Sequence, residues 1–163
     1  MEKDTIRTAV LEDLEALAEI EAACFPPAQA ASKESLQARL ELFPHHFYVY
    51  EREGKLLGFI NGFVTEERDL LDEMYEKAAL HREEGVWQMI FGLDTLPAYQ
   101  RQGIAARLME HMIGEAKAQK RAGVVLTCLE ALVEFYKSFG FRDEGMSGSS
   151  HGNAAWHQMR LVF

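Results

Sequence analysis

The chain has 163 residues, of which 48% are hydrophobic and 26% are charged, the composition of a globular protein with a sizeable core. Its formal net charge of −9 argues against a nucleic-acid partner and favours a cationic small molecule or a basic peptide. We expect one cytoplasmic domain over residues 1–163 without a membrane partner. No apolar run nears the ~18 residues of a membrane-spanning helix, the N-terminus lacks a signal-peptide pattern, and two cysteines are too few for a disulfide framework.

The N-terminal third predicts one strand and two helices. Thr5–Val10 indicates the strand, and a helix follows to about Cys24, with acidic residues in its first turn but no good N-cap. The positions on its buried side are apolar except for one acid: Leu14, Leu17, Ala18, Glu21 and Cys24. Phe25-Pro26-Pro27 ends this helix, because proline cannot continue it. Ser32 is a suitable N-cap for a second helix to about Leu42. The loop between them is either part of a lid or a plain connector.

The middle of the chain predicts a hairpin and an acidic helix. Residues 47–51 and 56–65 are rich in the aromatic and β-branched residues that favour strands, with a turn at residues 52–55 between them. Residues 66–84 carry eight acids and three bases, and their apolar positions have helical spacing. This segment is either a solvated helix face or a surface that steers amines toward a site.

A strand, a turn and a long helix then form the most informative stretch. Residues 86–93 predict the strand, Pro97 makes a corner, and apolar positions at helical spacing begin at Ala105. The turn between them reads Gln-x-x-Gly-x-Ala over residues 100–105. Unpaired backbone N–H groups and the helix dipole at such a turn bind anions, most simply a phosphate or pyrophosphate, and Gly103 permits close approach. The alternative is an ordinary turn in which the glycine serves only the backbone.

The last third completes an α/β (α+β) chain. Residues 123–128 predict a strand covered on both faces, residues 130–139 a short helix ending at Gly140, and strands begin at Phe141 and Trp156. The order of elements predicts a mixed, mostly antiparallel twisted sheet of about seven strands, flanked by helices on both faces.

Two motifs resemble the GNAT acetyltransferase superfamily. The first is the Gln100–Ala105 turn, with Pro97 six residues before Gly103; the second is Phe135-Tyr136 followed by Gly140-Phe141. Phe25, the run Cys128–Val133 and the late Gly152-x-x-x-Trp156 are similar to arylalkylamine (serotonin-type) N-acetyltransferases. The superfamily resemblance extends over nearly the whole chain. It implies the GNAT fold, acetyl-CoA as cosubstrate without a metal, and a small-molecule amine as acceptor. An arylalkylamine and a polyamine-like amine are the two classes of acceptor considered.

The resemblance also implies roles for particular residues. Backbone groups of Leu93 and Thr95 would pair with pantetheine as an added strand. The Gln100 turn would hold the pyrophosphate through its backbone. Tyr136 would protonate the departing thiolate, and Phe25 and Glu130 are candidate acceptor contacts. The residues that follow Gln100 in the pyrophosphate site are Arg101, Gln102, Gly103, Ile104 and Ala105.

The chain departs from the arylalkylamine pattern on the strand before the turn. Met89 and Phe91 stand where those enzymes have two histidines, and Asp94 is expected to point away from the site. The amine proton would then leave through water ordered by Glu130, or the small neutral fraction of amine would bind directly. The missing base leaves a second reading open, in which the chain is a non-catalytic acetyl-CoA sensor or partner-binding module. The histidines show no metal-ligand spacing, Cys128 is expected in the core, and the chain is expected to be a monomer or homodimer.

Overall fold

The computed structural model describes residues 3–149 and 154–163, whose strands form two sheets. The first sheet is antiparallel and has the order β1-β2-β3-β6, where β1 is Asp4–Thr8, β2 is Phe47–Arg52, β3 is Lys55–Asn61 and β6 is Gly92–Thr95. The second has the order β4-β5-β7-β9-β8, where β4 is Val64–Thr65, β5 is Trp87–Ile90, β7 is Gly123–Cys128, β8 is Arg142–Met146 and β9 is His157–Val162. Only β5 and β7 pair in parallel.

The described residues also form α-helices and short 3-10 helices. The α-helices are α1 (Leu14–Cys24), α2 (Lys33–Leu42), α3 (Asp72–Glu76), α4 (Ile104–Ala118) and α5 (Val133–Lys137). The 3-10 helices are Leu11–Asp13, Pro44–His46, Ala78–Leu80, Pro97–Tyr99 and Glu130–Leu132. In the described part of the chain, no helix combines the length and the apolar character that crossing a membrane requires.

Alternating residues of the first sheet build a core on each of its faces. Tyr48 and Ile60 pack with Leu108 of α4 on one face, whereas Phe47 and Phe59 pack with α1 and α2 on the other. This alternation is the two-residue period of a strand. It confirms the predicted mixed α/β architecture with helices on both faces.

Two predicted strands each divide between the sheets, which raises the strand count from about seven to nine in the described residues. The stretch 56–65 begins as β3 in the first sheet and ends as β4 in the second, and the stretch predicted at 86–93 becomes β5 and then β6. The two stretches meet where a Cβ on Gly62 would lie 1.8 Å from the carbonyl oxygen of Met89. Only glycine permits this contact between backbones.

The acidic segment 66–84 is not the helix that its spacing predicts. Only α3 and the 3-10 helix Ala78–Leu80 are helical, because tertiary contacts determine the path of the chain. The Leu70 N–H donates to the Gln158 side-chain oxygen (3.0 Å), and the Arg82 N–H donates to the Val64 carbonyl (2.8 Å). Two of its acids pair with buried arginines, Asp69 with Arg160 and Glu83 with Arg121, so the segment is more than a solvated face.

Helix starts agree with the sequence at α1 and α2, whereas the helix after residue 130 differs. The Ser32 hydroxyl accepts the Ser35 N–H (3.1 Å), which confirms the predicted cap. As expected, α1 has no side-chain cap, because the carboxylate of its N-cap residue Asp13 accepts the Val10 N–H (2.9 Å) and pairs with Arg7. The helix predicted at residues 130–139 is a 3-10 turn followed by the short α5.

The contact at Gly62 generates a stability prediction. Gly62→Ala should lower the free energy of unfolding by about 3 kcal/mol, because backbone has to shift in both sheets. Gly114→Ala is the matched control: it lies in α4 with no atom within 4 Å of the added Cβ, and should raise stability by roughly 0.5–1 kcal/mol. Denaturant unfolding of both variants measures the difference. Equal stability of Gly62→Ala and the parent protein would contradict the role assigned to this contact.

Candidate active site

A cavity of about 660 Å³ opens where the two sheets diverge. Strands β5 and β6 are separated only by Phe91, yet β5 pairs with β7 and β6 pairs with β3. As a result β6 and the end of β7 border a gap. The loop after α1 forms another wall of the cavity, with α2 and α5 adding further residues. The residues of the strands that border it are Ile90, Phe91, Gly92, Leu93, Leu126, Thr127 and Cys128.

Strand β6 is the edge of the first sheet, and its free side faces the gap. The Leu96 N–H donates to the Leu57 carbonyl (2.8 Å) just beyond β6, and backbone groups in an antiparallel pair alternate between the two sides. The N–H and C=O groups of Leu93 and Thr95 therefore face away from β3. The Thr95 carbonyl already accepts the Cys24 thiol (3.2 Å) and the Gln100 amide (3.4 Å). Leu93 thus offers the more available backbone groups for an added strand.

The Gln100–Ala105 turn has the backbone geometry of an anion site. Arg101 (φ +64°) and Gly103 (φ +82°) are both left-handed, and Gly103 is the N-cap of α4. Successive N–H groups in such a turn form a concave nest, and the first N–H groups of α4 have no partner within the helix. A Cβ on Gly103 would meet no atom within 4 Å. The space above this glycine is therefore open to a ligand.

Tyr136 lies in α5 with its ring in the core and lines the cavity. Phe135 and Phe141 make edge-to-face contacts with its ring, with centroids at 5.1 and 6.0 Å. Burial raises the pKa of Tyr136 above its usual range, with smaller contributions from nearby acidic groups. The hydroxyl therefore keeps its proton at neutral pH and can donate it.

A buried polar cluster lies beside Gly92, and no sequence motif points to it. A Cβ on Gly92 would lie 3.2 Å from an Asp94 oxygen, 3.4 Å from the Asn61 amide nitrogen and 3.9 Å from a Glu21 oxygen. The Arg39 guanidinium donates to the Asn61 oxygen (3.0 Å) and to the Tyr75 carbonyl (2.8 Å). Glu21 and Arg39 line the cavity, whereas Asp94 is buried beside Gly92. The signals in the sequence were an acid on the otherwise apolar side of α1, Glu21, and a charge within an apolar strand, Asp94.

The remaining candidate residues have different positions relative to the cavity. Phe25 lines it, whereas Glu130 is exposed and is not among its lining residues. Met89 is fully buried against Phe63, and the Arg39 guanidinium lies 5.0 Å from the Phe91 ring centre. Strand β5 and the residue after it therefore supply no base. Glu21 is the carboxylate better placed to meet an acceptor than Glu130.

Both cysteines line the cavity as protonated thiols. Burial raises the pKa of Cys24 to about 12 and that of Cys128 to about 11. A thiol with such a pKa is a poor nucleophile at neutral pH. Cys128 is 2% exposed, as its assignment to the core predicts.

A group of two histidines and one glutamate lies away from the cavity and consists of His46, His81 and Glu83. The His81 Nδ1 accepts the Val64 N–H (3.0 Å), so a neutral ring carries its proton on Nε2, which donates to Glu83 (3.0 Å). Glu83 also pairs with Arg121 (2.6 Å). These contacts occupy the atoms that would have to face a metal ion, so the cluster ties the acidic segment to the sheets.

Comparisons with known proteins agree with this geometry. The model of the acetyltransferase (GNAT) family matches residues 14–141. Serotonin N-acetyltransferase of Mesocricetus auratus is 30% identical over 124 residues, which are 74% of this chain; the chain spans 58% of the length of that relative. The loading GNATL domain of CurA from Lyngbya majuscula has a TM-score of 0.86 at 20% identity and 98% coverage of both chains. The GphF GNAT-like decarboxylase, solved with isobutyryl-CoA, has a TM-score of 0.81 at 21% identity, with 97% of this chain and 98% of that chain covered.

The Gln100–Ala105 turn generates a binding prediction with a matched control. Gly103→Val should raise the dissociation constant of acetyl-CoA by on the order of 10-fold or more, because one lost charge-assisted hydrogen bond costs ~1.5–3 kcal/mol. Gly54→Val is the control, since Gly54 is also exposed, has φ +82° and has no atom within 4 Å of an added Cβ.

Both glycine variants should lose similar stability, about 1–2 kcal/mol, because valine is strained at a positive φ. Calorimetric titration with acetyl-CoA and thermal unfolding separate the two effects. Unchanged affinity in a folded Gly103→Val protein would remove the turn from the binding site.

Proposed function

Because the chain belongs to the acetyltransferase (GNAT) family, we propose that it transfers the acetyl group of acetyl-CoA to the nitrogen of a small primary amine. The observation that carries the proposal is the convergence on one cavity of three features: a free strand edge, a protonated tyrosine and a carboxylate, contributed by Leu93, Tyr136 and Glu21. Together they provide a place for a thioester, a proton donor for its sulfur and an anionic contact for an amine.

The residues present fit a coenzyme A thioester. The free edge of β6 can pair with an amide-bearing chain such as pantetheine, and the nest at Arg101–Gly103 can hold a pyrophosphate. The edge and the turn are contiguous in sequence, joined by the short Pro97–Tyr99 helix. One extended ligand could therefore contact both features, with its acyl end in the cavity beside Gly92.

The reaction that these residues support is direct attack of the neutral amine on the thioester carbonyl. The cavity holds the two reactants together, which supplies much of the rate enhancement in bimolecular transfers. The backbone N–H of Leu93, which faces the gap, can stabilise the developing oxyanion. Tyr136 donates its proton to the departing sulfur. An acetyl-cysteine thioester intermediate on the protein is not favoured, because Cys24 and Cys128 are held in the protonated form.

The lining of the cavity favours an amine that carries an apolar body. Part of the cavity wall is apolar and aromatic, and Glu21 supplies a carboxylate. The apolar and aromatic residues are Phe25, Pro26, Leu132 and Trp156. An arylalkylamine has this combination, and the relative from Mesocricetus auratus supports it. A diamine of the polyamine type is the alternative acceptor, since its second amino group could contact an acidic side chain other than Glu21.

A panel of amines tests the proposed function. We expect acetyl-CoA to release its thiol with arylalkylamines faster than with putrescine, amino acids or peptides, as measured by a thiol-reactive dye and by mass spectrometry of the product. A blank without amine corrects for Cys24 and Cys128. Tight acetyl-CoA binding without thiol release from any amine would favour the non-catalytic sensor instead. Release of carbon dioxide from malonyl-CoA would point to the chemistry of the GphF neighbour.

Tyr136→Phe tests the proton donor. The rate constant kcat should fall by on the order of 10²-fold, because the thiolate would leave without a proton, while acetyl-CoA affinity stays near that of the parent. Tyr48→Phe is the control, because the Tyr48 hydroxyl donates to the His45 carbonyl (2.7 Å) and does not line the cavity. Equal kcat values for Tyr136→Phe and the parent, with chemistry rate-limiting, would reassign Tyr136 to packing.

A further inference from the structure

Two carboxyl groups lie beside Gly92 at the cavity, and one of them lacks the donors that a buried carboxylate requires. Asp94 is 1% exposed, and neither of its oxygens has a hydrogen-bond donor among the described residues. One oxygen of Asp94 and one of Glu21 both lie within 4 Å of the position that a Cβ on Gly92 would take. Burial, together with the neighbouring Glu21 carboxyl group, raises the pKa of Asp94 well above its usual range. Two neighbouring carboxyl groups can hydrogen-bond to each other only when one of them carries a proton.

Arg39 determines how many protons the pair holds. It is 4% exposed, and its charge attracts both carboxyl groups. One guanidinium beside two carboxylates would leave a buried net charge, which is costly. A single shared proton on the pair makes the group of three neutral. Four other ionisable groups at the cavity have raised pKa values that keep them uncharged: Cys24 on α1, Tyr75 on α3, Cys128 on β7 and Tyr136 on α5. Glu76 at the end of α3 also lines the cavity and is exposed.

The cluster around this pair is incompletely hydrogen-bonded on several sides. The Arg39 Nε, the Asn61 amide nitrogen and the Thr95 hydroxyl also lack partners among the described residues. Buried polar atoms are normally satisfied by the protein or by water, so unsatisfied ones beside a cavity are groups that a polar ligand can contact. Glu21 has one oxygen committed to the Ala31 N–H (2.8 Å), which fixes the loop that follows α1, and its other oxygen lies nearer Gly92.

The geometry points to the Glu21–Asp94 pair as the site that binds the acceptor as an ammonium ion, releases its own shared proton on binding, and then accepts a proton from the bound amine. This inference rests on the proposed function and adds the acceptor's charge state and the residues that receive its proton. Glu21 is the catalytic residue because it lines the cavity. Asp94 is a positioning residue that acts through Glu21.

The steps balance in protons and electrons. The entering ammonium replaces the shared proton, which leaves to solvent, so that two carboxylates face one ammonium and one guanidinium. An N–H bond then breaks toward Glu21, and the electron pair stays on nitrogen and attacks the thioester carbon. The C–S bond breaks with its electron pair on sulfur, and Tyr136 protonates that sulfur. The extra proton on the new amide nitrogen returns to the Tyr136 phenolate.

Proton release on binding tests the charge state. Phenethylamine is titrated into the CoA-bound protein at neutral pH in two buffers of different ionisation enthalpy. The parent protein should release ~1 proton per amine bound. Asp94→Asn should release almost none, because it removes the carboxyl group whose raised pKa holds the proton. Glu19→Gln, an exposed acid on the same helix α1, should behave as the parent does.

Three calorimetric results would overturn the inference. Equal release from Asp94→Asn and the parent would mean that the proton comes from the amine. No release from the parent would mean that the pair holds no proton to lose. Failure of both phenethylamine and putrescine to bind the parent would remove the cation site. Should Asp94→Asn not fold, Glu21→Gln is expected to abolish the release in the same way.

The pH profile tests the proton transfer with the amine that the panel finds fastest. In the parent, kcat/KM should rise as the pair loses its shared proton, and Asp94→Asn should move this rise to lower pH. Glu21→Gln should lower kcat/KM by on the order of 10²-fold and remove the rise. Loss of activity by the same factor at every pH in Asp94→Asn would indicate a purely structural role and overturn the assignment. Absence of turnover with any amine would refute the proposed function. The calorimetric measurement of proton release would still test whether the Glu21–Asp94 pair holds a proton and binds an ammonium ion.

Discussion

The close approach of two backbones at Gly62 is the constraint on which the cavity depends. Because no side chain separates Gly62 from Met89, the chain can pass from one sheet to the other within a single extended stretch. The stretch from β5 to β6 changes sheets in the opposite sense and stays antiparallel to the first, β5 beside β4 and β6 beside β3. Adjacent strands of a continuous sheet would satisfy each other's backbone groups. Here β7 pairs with β5 but not with β6, which leaves one side of β6 without a neighbouring strand and opens the gap toward β7.

The free edge matters because an unpaired strand is normally a liability. Exposed strand edges recruit other chains, and proteins usually cover or interrupt them. In this protein the edge is short and faces a cavity, and the Cys24 thiol and the Gln100 amide partly satisfy the Thr95 carbonyl. The groups that remain are accessible only to a chain that can enter the gap. The same geometry therefore protects the edge from aggregation and reserves it for a narrow ligand.

How far the sequence predicts the molecule depends on whether a feature is local. The Ser32 cap, the Gly103 turn and the apolar face of α4 are encoded by residues a few positions apart, so periodicity and capping rules recover them. The helix predicted for the acidic segment does not form, because the side chain of Gln158, 88 residues away from Leu70, accepts the Leu70 backbone N–H. The change of sheet at Gly62 was not predicted, because it too depends on residues distant in sequence. A glycine within a strand pattern signals close approach, but it does not say which backbone approaches.

The candidate site also contains features that are local in sequence and features that are not. Tyr136 and the turn at Gln100 belong to contiguous motifs, whereas the acid pair joins α1 to β6 across 73 positions, and no local pattern links them. Glu21 could be noticed only as an interruption of an apolar face, and Asp94 only as a charge within an apolar strand. Both observations are conflicts between local pattern and burial, and such conflicts concentrate at functional sites.

Energetics connect those conflicts with function. Each buried polar atom without a partner costs ~1–3 kcal/mol, and Asp94, Asn61, Arg39 and Thr95 all carry such atoms beside one cavity. Apolar replacements of similar size would remove that cost, as they often do for buried ion pairs. A domain that only displayed a bound coenzyme would need the turn and the strand edge but not this cluster. In the proposed site an ammonium ion would supply donors to the Asp94 oxygens. Because the cluster lies beside β6, that cation would also lie next to a group held along the free edge of the strand.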